Sequence, residues 1–204
     1  MKKTVVITTI NKPNQNIKKF SILCKKNNSD LIIIGDKKTP KTFRLTYGSY
    51  YDLKSQKKTD STFSKICPIN SYARKNIGYL ISIKDNSDII IESDDDNYPK
   101  NNFFKNLKLK KKEKEINNLG WINIYKAFSI KTDDIWPRGL PLDRIKINPK
   151  LKFKKLIKKF YLQQGVCDGN PDVDAIYRLM NKKINIKFKD NLSISLGKSL
   201  SPIN

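Results

Sequence analysis

Three short apolar runs rich in β-branched residues divide the first half of the chain. They are TVVITTI at residues 4–10, LIII at residues 31–34 and III at residues 89–91. Runs that are apolar at every position are typical of strands buried on both faces of a parallel sheet. Between the first two runs, Ile17, Phe20 and Cys24 recur at helical spacing. The order strand, helix, strand predicts a βαβ unit with a right-handed crossover.

The pattern along the rest of the chain predicts further helices and strands joined by loops. Apolar residues at helical spacing predict helices over residues 71–86, 103–115 and 153–160, with a short helix starting near Asp172. Strands are expected at residues 120–125 and within residues 184–196, a long loop with short elements at residues 41–72, and an irregular loop at residues 133–142. We expect one α/β domain over residues 1–204, with a mostly parallel central sheet and helices on both faces.

Charge adds a second class of function. The 204 residues carry 42 lysines and arginines against 19 acidic residues, for a net charge of +23. Such a balance favours binding to nucleic acid. Lys, Asn and Ile are abundant together, however, a bias that AT-rich coding produces without selection on the protein. We therefore keep a basic nucleic-acid-binding protein as the alternative from another class, and we expect no specific nucleic acid as partner, since any such binding should be weak and steeply salt-dependent.

Residue types that are rare or missing exclude several kinds of chemistry. The chain has no histidine, which removes histidine-based triads and histidine-ligated zinc. Its three cysteines are odd in number and widely spaced, as expected of reduced core residues. No apolar run approaches the ~18 residues that cross a bilayer, and the apolar run near the start is too short for a signal peptide. We expect a cytoplasmic protein without a transmembrane segment.

Residues 153–160 allow two interpretations. A basic amphipathic helix at this place is compatible with contact with an acidic membrane surface. A helix of this kind also packs against the protein's own core in many domains. The sequence leaves both interpretations open.

Three adjacent carboxylates, Asp94, Asp95 and Asp96, directly follow the third strand and its Glu92–Ser93 end. In open α/β sheets, ligands bind beyond the carboxyl ends of the strands. Because residues i and i+2 of an extended segment face the same way, Asp94 and Asp96 can converge on one hard cation. The alternative is an acidic turn that leads into a helix near Pro99.

Two further features concern a nucleotide phosphate. Arg74 and Asn76 fall in the first turn of the helix over residues 71–86, close to where a phosphate meets a helix N-terminus. No segment matches the G-x-x-x-x-G-K-[ST] pattern, which excludes a P-loop, and no G-x-G-x-x-G follows a strand, which argues against a dinucleotide site. The residues favour a nucleotide diphosphate that a divalent cation bridges to the carboxylates.

Six collinear motifs carry a resemblance to a known family. They are VVITTINKP, IIIGDKKTP, YARKNIGYLISI, IIIESDDDNYP, WPRGLPL and QGVCDGNPDVDAIYRL, and they cover most of residues 4–180. Together they resemble the STELLO-type glycosyltransferase domain, which is related to the reversibly glycosylated polypeptides, the plant UDP-arabinopyranose mutases. The resemblance implies a GT-A-like, Rossmann-type fold, a UDP-sugar as nucleotide-sugar donor, and Mn²⁺ or Mg²⁺. It implies a metal-dependent glycosyltransferase acting on a glycan or small-molecule acceptor, with a sugar-nucleotide mutase as the alternative.

The resemblance also implies roles for individual residues. Asp94–Asp96 would be the acidic DXD motif, in which Asp96 holds the metal while Asp94 and Asp95 reach the ribose, the sugar or the metal. The residues that would line the nucleoside pocket are Thr8, Asp36 and Thr39. Those that would approach the donor are Arg74 and Asn76.

Three residues of the second half would act on the sugar or the acceptor. Arg138 matches the arginine that becomes glycosylated in the mutase relatives, although Leu140 and Leu142 stand where those relatives have aromatic residues. Asp172 and Asp174 match the relatives' P-D-x-D-A stretch, and would orient an acceptor, act as base, or favour a helix N-terminus. Because the resembling domains continue beyond the stretch matching LGKSLSPIN, we expect the acceptor part to be incomplete in this chain.

Overall fold

The computed structural model describes residues 1–59, 61–105, 107, 109–130, 134–147, 149–182, 184–190 and 192–202. The chain divides into two compact units, Met1–Asn106 and Leu107–Asn204. Each unit has its own strands and its own buried apolar residues. The prediction of one domain over residues 1–204 stays a prediction.

The first unit is a parallel sheet with helices packed against it. Its elements are β1 (Lys3–Thr9), α1 (Gln15–Lys26), β2 (Asp30–Gly35), β3 (Ser49–Tyr51), α2 (Leu53–Thr59), α3 (Ser61–Ile66), α4 (Lys75–Lys84) and β4 (Ile89–Asp94). The strands pair in parallel in the order β3-β2-β1-β4. The predicted α/β class with a mostly parallel sheet is confirmed.

Helix α4 packs on one face of this sheet. Alternate residues of a strand point to opposite faces, and Val6, Ile32 and Ile34 share a buried cluster with Ile77 and Ile81 of α4. Removing each such side chain from water contributes about 1.5–3 kcal/mol. The apolar face that the sequence predicts for this helix is therefore the face that holds it on the sheet.

Helix α1 lies on the opposite face, beside Leu31 of β2. The hydroxyl of Ser21 donates to the backbone carbonyl of Tyr47 at 2.6 Å. The next residue, Gly48, has a φ of +111°, and a Cβ placed there would come within 2.9 Å of the Leu31 Cβ. Leu31 alternates with Ile32 and so points away from α4. Helices thus cover both faces of the sheet, as predicted.

Close approach of α4 to the sheet makes Gly78 sensitive to substitution. A Cβ at Gly78 would lie 2.4 Å from Cγ1 of the buried Val6. An unconstrained glycine inside a helix gains roughly 0.5–1 kcal/mol on replacement by alanine, but overpacking a core costs about 1–3 kcal/mol. We expect Gly78→Ala to lower the free energy of unfolding in urea by about 1–3 kcal/mol.

The control for this substitution is Ile83→Ala on the exposed side of the same helix. Ile83 is exposed, so its truncation should change stability by about 0.5 kcal/mol or less. A Gly78→Ala variant more stable than the parent would contradict the close packing of α4 on β1.

The chain order reverses between β1 and β4. From β1 the chain passes through α1 to β2 on one side, whereas β4 pairs with β1 on its other side. Such a reversal leaves a crevice at the carboxyl ends of the two strands, where open α/β sheets bind their ligands. Here β1 ends at Thr9 and β4 ends at Asp94.

The second unit is built of short strands and helices around a separate core. Its elements are β5 (Lys110–Ile116), β6 (Gly120–Trp121), α5 (Ile124–Phe128), β7 (Phe153–Lys159), α6 (Ala175–Met180), β8 (Ile194–Ser195) and β9 (Ser199–Leu200). Strand β5 pairs antiparallel with β7 and parallel with β8, and β6 pairs parallel with β9. Within the core, Trp136 and Tyr177 meet edge to face with ring centroids 5.0 Å apart.

Two predicted helices of this unit are wrong. Residues 110–116 of the lysine-rich segment form β5, and residues 153–159 form β7, so the predicted basic amphipathic helix is a strand. The apolar spacing of Phe153, Leu156 and Ile157 fits a helix in isolation, but seven residues of each segment pair with the other. Strand pairing over this length outweighs the weak helix preference of the sequence. Residues 106 and 108 of the first predicted helix lie outside the described residues.

Other predicted elements need smaller corrections. The expected strand at residues 120–125 is two residues long and gives way to α5, with Asn123 as its N-cap. The expected loop at residues 41–72 contains β3, α2 and α3. The loop at residues 133–142 begins at a position outside the described residues. Across the described chain, no helix has the length and apolar character needed to cross a bilayer.

Candidate functional site

The carboxyl ends of β1, β2 and β4 gather most of the residues predicted to contact a donor. Thr8 and Thr9 end β1, Asp36 follows β2, and the Asp94–Asp96 triplet ends β4. Thr8 lies directly opposite Asp94 in the register of the two strands. The predicted residues thus lie at one edge of the sheet, and their role in binding a donor stays a prediction.

Asp95 is fixed by the loop that follows β1. Its carboxylate oxygen Oδ2 accepts hydrogen bonds from the hydroxyl of Thr9 and from the amide of Asn11, the latter at 3.0 Å. Its backbone carbonyl accepts from the amides of Asn14 and Asn16, at 2.7 and 3.0 Å. Asp95 thus accepts hydrogen bonds both at its carboxylate and at its backbone carbonyl. Together these bonds hold its side chain in one orientation. The turn after β4 is thereby tied to the start of α1.

Asp94 is paired with a lysine of α4. The ammonium nitrogen of Lys75 lies 2.6 Å from Asp94 Oδ1 and 3.0 Å from Glu92 Oε1. The Lys75 side chain is 8% exposed, whereas the two carboxylates are half exposed. A cation at the first residue of a helix is disfavoured by the helix dipole, and the two carboxylates offset this cost for Lys75.

The ionisation of this cluster follows from its contacts. Burial disfavours the charged form of Lys75, but the hydrogen bonds that it donates to Asp94 and Glu92, and its attraction to their charges, outweigh burial and raise the pKa of Lys75. Burial likewise opposes ionisation of Glu92, but hydrogen bonds from Tyr79 and Lys75 lower the pKa of Glu92. A raised lysine pKa stabilises the fold at neutral pH, and this stability is lost as the pH rises through the pKa of the folded state. A lowered carboxyl pKa also stabilises the fold at neutral pH, and this stability is lost as the pH falls through the pKa of the folded state. The cluster therefore stabilises the protein across the neutral range.

Asp96 differs from its two neighbours. Its side chain is exposed and makes no hydrogen bond or ion pair within the described part of the chain. Asp94 likewise retains its second carboxylate oxygen, Oδ2, because Lys75 occupies Oδ1. Hard carboxylate oxygens are the ligands that Mg²⁺ and Mn²⁺ prefer.

These residues fit a divalent cation that is completed by a bound diphosphate. Among the described residues, no three acidic, histidine or cysteine side chains are grouped so as to hold a metal by themselves. Mg²⁺ is commonly bound by one or two carboxylates together with substrate phosphates. The buried hydroxyl of Thr8, opposite Asp94, has no hydrogen-bond partner among the residues that the structure describes. Since buried polar groups are normally paired, the Thr8 hydroxyl is available to form a hydrogen bond with a ligand at this edge of the sheet.

Asp36 and Thr39 lie at the neighbouring strand end and hold the backbone there. The hydroxyl of Thr39 donates to the backbone carbonyl of Thr9 and accepts from the backbone N–H of Asp36, both at 2.7 Å. The carboxylate of Asp36 accepts from the backbone N–H groups of Lys37 and Ser71. The ends of β1 and β2 are thus joined, and the predicted role of Asp36 and Thr39 in a nucleoside pocket stays a prediction.

Arg74 is engaged by the protein itself. Its guanidinium, in a residue 2% exposed, donates twice to the side-chain oxygen of Gln56 and once to the backbone carbonyl of Cys67. Gln56 in turn donates to the backbone carbonyls of Gly35 and Tyr51. This arrangement gives Arg74 a structural role and lends no support to its predicted contact with a donor.

Asn76 has a local contact. It is exposed, and its amide donates to the backbone carbonyl of Ala73 in the preceding turn at 3.0 Å. Its predicted approach to the donor stays a prediction.

The residues predicted for the acceptor side lie in the second unit. Arg138 and Asp172 form an ion pair, with the guanidinium nitrogen 2.7 Å from Asp172 Oδ2. Asp174 is the N-cap of α6, where its side chain accepts from the backbone N–H of Ile176 at 2.9 Å. Asp174 therefore caps a helix, as the alternative interpretation had it. The predicted roles of Arg138, Asp172 and Asp174 in sugar or acceptor chemistry stay predictions.

Comparison with known proteins bears on the predicted resemblance. No family model matches the chain. The chain is 27% identical over 190 residues to the probable glycosyltransferase STELLO2 of Arabidopsis thaliana. This match covers 86% of this chain and 24% of STELLO2. The chain is also 27% identical over 195 residues to the probable glycosyltransferase STELLO1 of the same plant. This second match covers 88% of this chain and 25% of STELLO1. The resemblance to STELLO-type glycosyltransferases is confirmed.

The match covers only part of each STELLO-type relative. The chain spans about a quarter of the length of the curated relatives it matches. The α/β fold of the first unit is consistent with the GT-A-like fold that the STELLO-type resemblance implies. The further link to the reversibly glycosylated polypeptides, and with it the mutase alternative, stays a prediction.

Sequence reasoning missed the partners that orient the acidic triplet. Lys75 follows Arg74 directly, but a lysine in a basic chain of this composition carries no signal of burial. The segment NKPNQN gave a weak signal, since three asparagines within six residues follow a strand end. Their target, Asp95, is about 80 residues away along the chain.

Proposed function

We propose that this chain carries the donor-binding part of a glycosyltransferase that uses a nucleotide sugar, with a UDP-sugar as donor and Mn²⁺ or Mg²⁺ as cofactor. The observation that carries the proposal is the carboxylate triplet at the crevice where the chain order of the parallel sheet reverses. The names of the STELLO-type relatives support the reaction class.

The three carboxylates would have different roles at this edge of the sheet. Asp96 and the second oxygen of Asp94 would hold the cation. Asp95, whose Oδ2 accepts hydrogen bonds from Thr9 and Asn11, would hold the turn in position. When bound, the cation neutralises the diphosphate and assists its departure as a leaving group.

Residues around the triplet would prepare it for the donor. Lys75 keeps Asp94 in one orientation and cancels part of the repulsion among the adjacent carboxylates. The hydroxyl of Thr8 would hydrogen bond to the donor at the carboxyl end of β1. On the acceptor side, Asp172 and Asp174 remain the candidates for orienting a hydroxyl group, and Arg138 for a contact with the sugar.

Ligand-induced stabilisation tests the proposal. A ligand at about 100 times its Kd adds about 2.7 kcal/mol to the stability of the native state. For a chain of this size, that corresponds to a rise of about 5–10 °C in Tm. We expect this rise with UDP plus Mn²⁺ in a thermal-shift measurement, and little or none with UDP plus EDTA.

The same measurement with a panel of nucleotides checks selectivity. ADP and GDP with Mn²⁺ serve as controls, since they carry the same diphosphate on other bases. An equal shift with all three diphosphates would contradict a uridine-selective pocket, and no shift with any of them would contradict nucleotide-sugar binding altogether.

A further inference from the structure

Strands β5 and β7 form a ladder whose two faces differ in charge. In their register, Lys112 pairs with Ile157 and Lys114 pairs with Lys155. Because side chains alternate along a strand, these four residues share one face with Lys159, and all five are exposed. We call this set the cationic face: Lys112, Lys114, Lys155, Ile157 and Lys159.

The opposite face of the ladder carries acids as well as lysines among its described side chains. Its described side chains include Glu113 and Glu115 on β5 and Lys154 and Lys158 on β7. Lys154 forms an ion pair with Glu115 across the strands at 2.9 Å. Two acids thus offset two lysines on this face, whereas the four lysines of the cationic face have no acid beside them among its described members.

The ladder itself gains nothing from this segregation. Lys114 and Lys155 lie directly opposite one another, and like charges in that position destabilise a sheet. Lysines on an edge strand such as β7 do prevent pairing with other chains. That purpose is served equally by lysines on either face, so it does not account for the concentration of charge on one of them.

Exposed apolar side chains accompany the cationic face. Ile157, in the middle of it, is 64% exposed. Directly beyond the end of β7, Tyr161 is 83% exposed and Leu162 is 91% exposed. Lysines around aliphatic and aromatic side chains are the composition of segments that lie in a membrane interface.

We propose that the cationic face binds the surface of a membrane containing anionic lipids. The lysines contact the lipid headgroups, and Ile157, Tyr161 and Leu162 enter the boundary between headgroups and acyl chains. Nucleic acid fits this surface less well, because arginine contributes to the binding of single strands, and the cationic face has no arginine. The proposal is independent of the sugar-nucleotide site, since its residues all lie in the second unit.

Co-sedimentation with lipid vesicles tests the proposal on the full chain. We expect binding to vesicles of mixed phosphatidylserine and phosphatidylcholine, and at least tenfold weaker binding to phosphatidylcholine alone. The double variant Lys155→Gln with Lys159→Gln should weaken binding to the mixed vesicles about tenfold, since each lysine near the surface contributes several-fold.

A matched control lies on the same strand. The double variant Lys154→Gln with Lys158→Gln removes the same charge from the opposite face, and it should weaken binding about threefold or less. An equal loss in the two double variants would overturn the proposal, because net charge alone would then explain the binding. Equal Tm values for the variants and the parent check that folding is retained.

A substitution without charge separates lipid from other polyanions. Ile157→Ser should weaken binding to the mixed vesicles several-fold and leave binding to duplex DNA at the same salt unchanged. An Ile157→Ser variant that binds vesicles like the parent, or a parent that binds DNA more tightly than vesicles, would overturn the membrane assignment.

Discussion

Replacement of Asp96 by asparagine is expected to abolish the stabilisation by UDP and Mn²⁺ while leaving the free protein folded. Asp96 is exposed and has no partner within the described residues, so the substitution should change the free energy of unfolding by about 0.5 kcal/mol or less. An amide carries no charge and is a much weaker ligand for a hard divalent cation than a carboxylate. The rise of about 5–10 °C in Tm expected for the parent should fall below about 1 °C.

The control for this variant is Asp85→Asn. Asp85 is an exposed aspartate of the same unit at the end of α4, next to the amino end of β4. It removes the same charge, and its shift with UDP and Mn²⁺ should equal that of the parent. An undiminished shift in Asp96→Asn, or a parent shift that persists in EDTA, would show that Asp96 does not hold a cation.

The two central strands of the parallel sheet, β1 and β2, were predictable from the sequence because they are buried on both faces. Strand β3 was not, since Ser49–Tyr51 is only partly buried and fell within a predicted loop. Runs such as LIII at residues 31–34 have no polar position, and their short length and β-branched residues favour a buried strand over a buried helix. The helix α4 was predictable because its apolar positions recur at one spacing and pack on one face. In these elements, local preference and tertiary packing agree.

The strands of the second unit were not predictable in the same way. The segment FKKLIKK has apolar residues at helical spacing, yet Ile157 in it is exposed in the strand. The apolar side chain of Ile157 is not packed in a core that would favour a helix. The segment instead forms a strand because it pairs with β5. A charged segment whose partner strand is more than 35 residues away carries too little local information to distinguish the two.

The candidate site shows the same division. The position of the carboxylates was predictable, because strand ends in a parallel sheet gather at one edge. Their partners were not, since Asn11 reaches Asp95 across 84 residues of sequence and the pairing follows from the order of the strands. The predicted contact of Arg74 with a donor stays a prediction, and the sequence did not show that its guanidinium donates to the buried Gln56.

Replacement of Lys75 by methionine is expected to weaken the fold and strengthen cation binding at once. In the free protein, Lys75 neutralises Asp94 and Glu92, and its loss leaves two neighbouring carboxylates without their shared cation. Because these carboxylates are half exposed, the free energy of unfolding should fall by only about 1–2 kcal/mol. Both oxygens of Asp94 then become available beside Asp96, and the affinity for Mn²⁺ in the presence of UDP should rise about tenfold, or about 1.4 kcal/mol.

Urea unfolding and titration of free Mn²⁺ by electron paramagnetic resonance measure the two effects separately. Lys84→Met, at the last residue of the same helix, removes an equal charge far from the triplet and accounts for the change in net charge. Lys75→Arg retains a cation and should leave Mn²⁺ affinity within about twofold of the parent, since the charge near Asp94 is kept. If Lys75→Met loses stability but binds Mn²⁺ no more tightly than Lys84→Met, Asp94 is not a ligand and its pairing with Lys75 serves the fold alone.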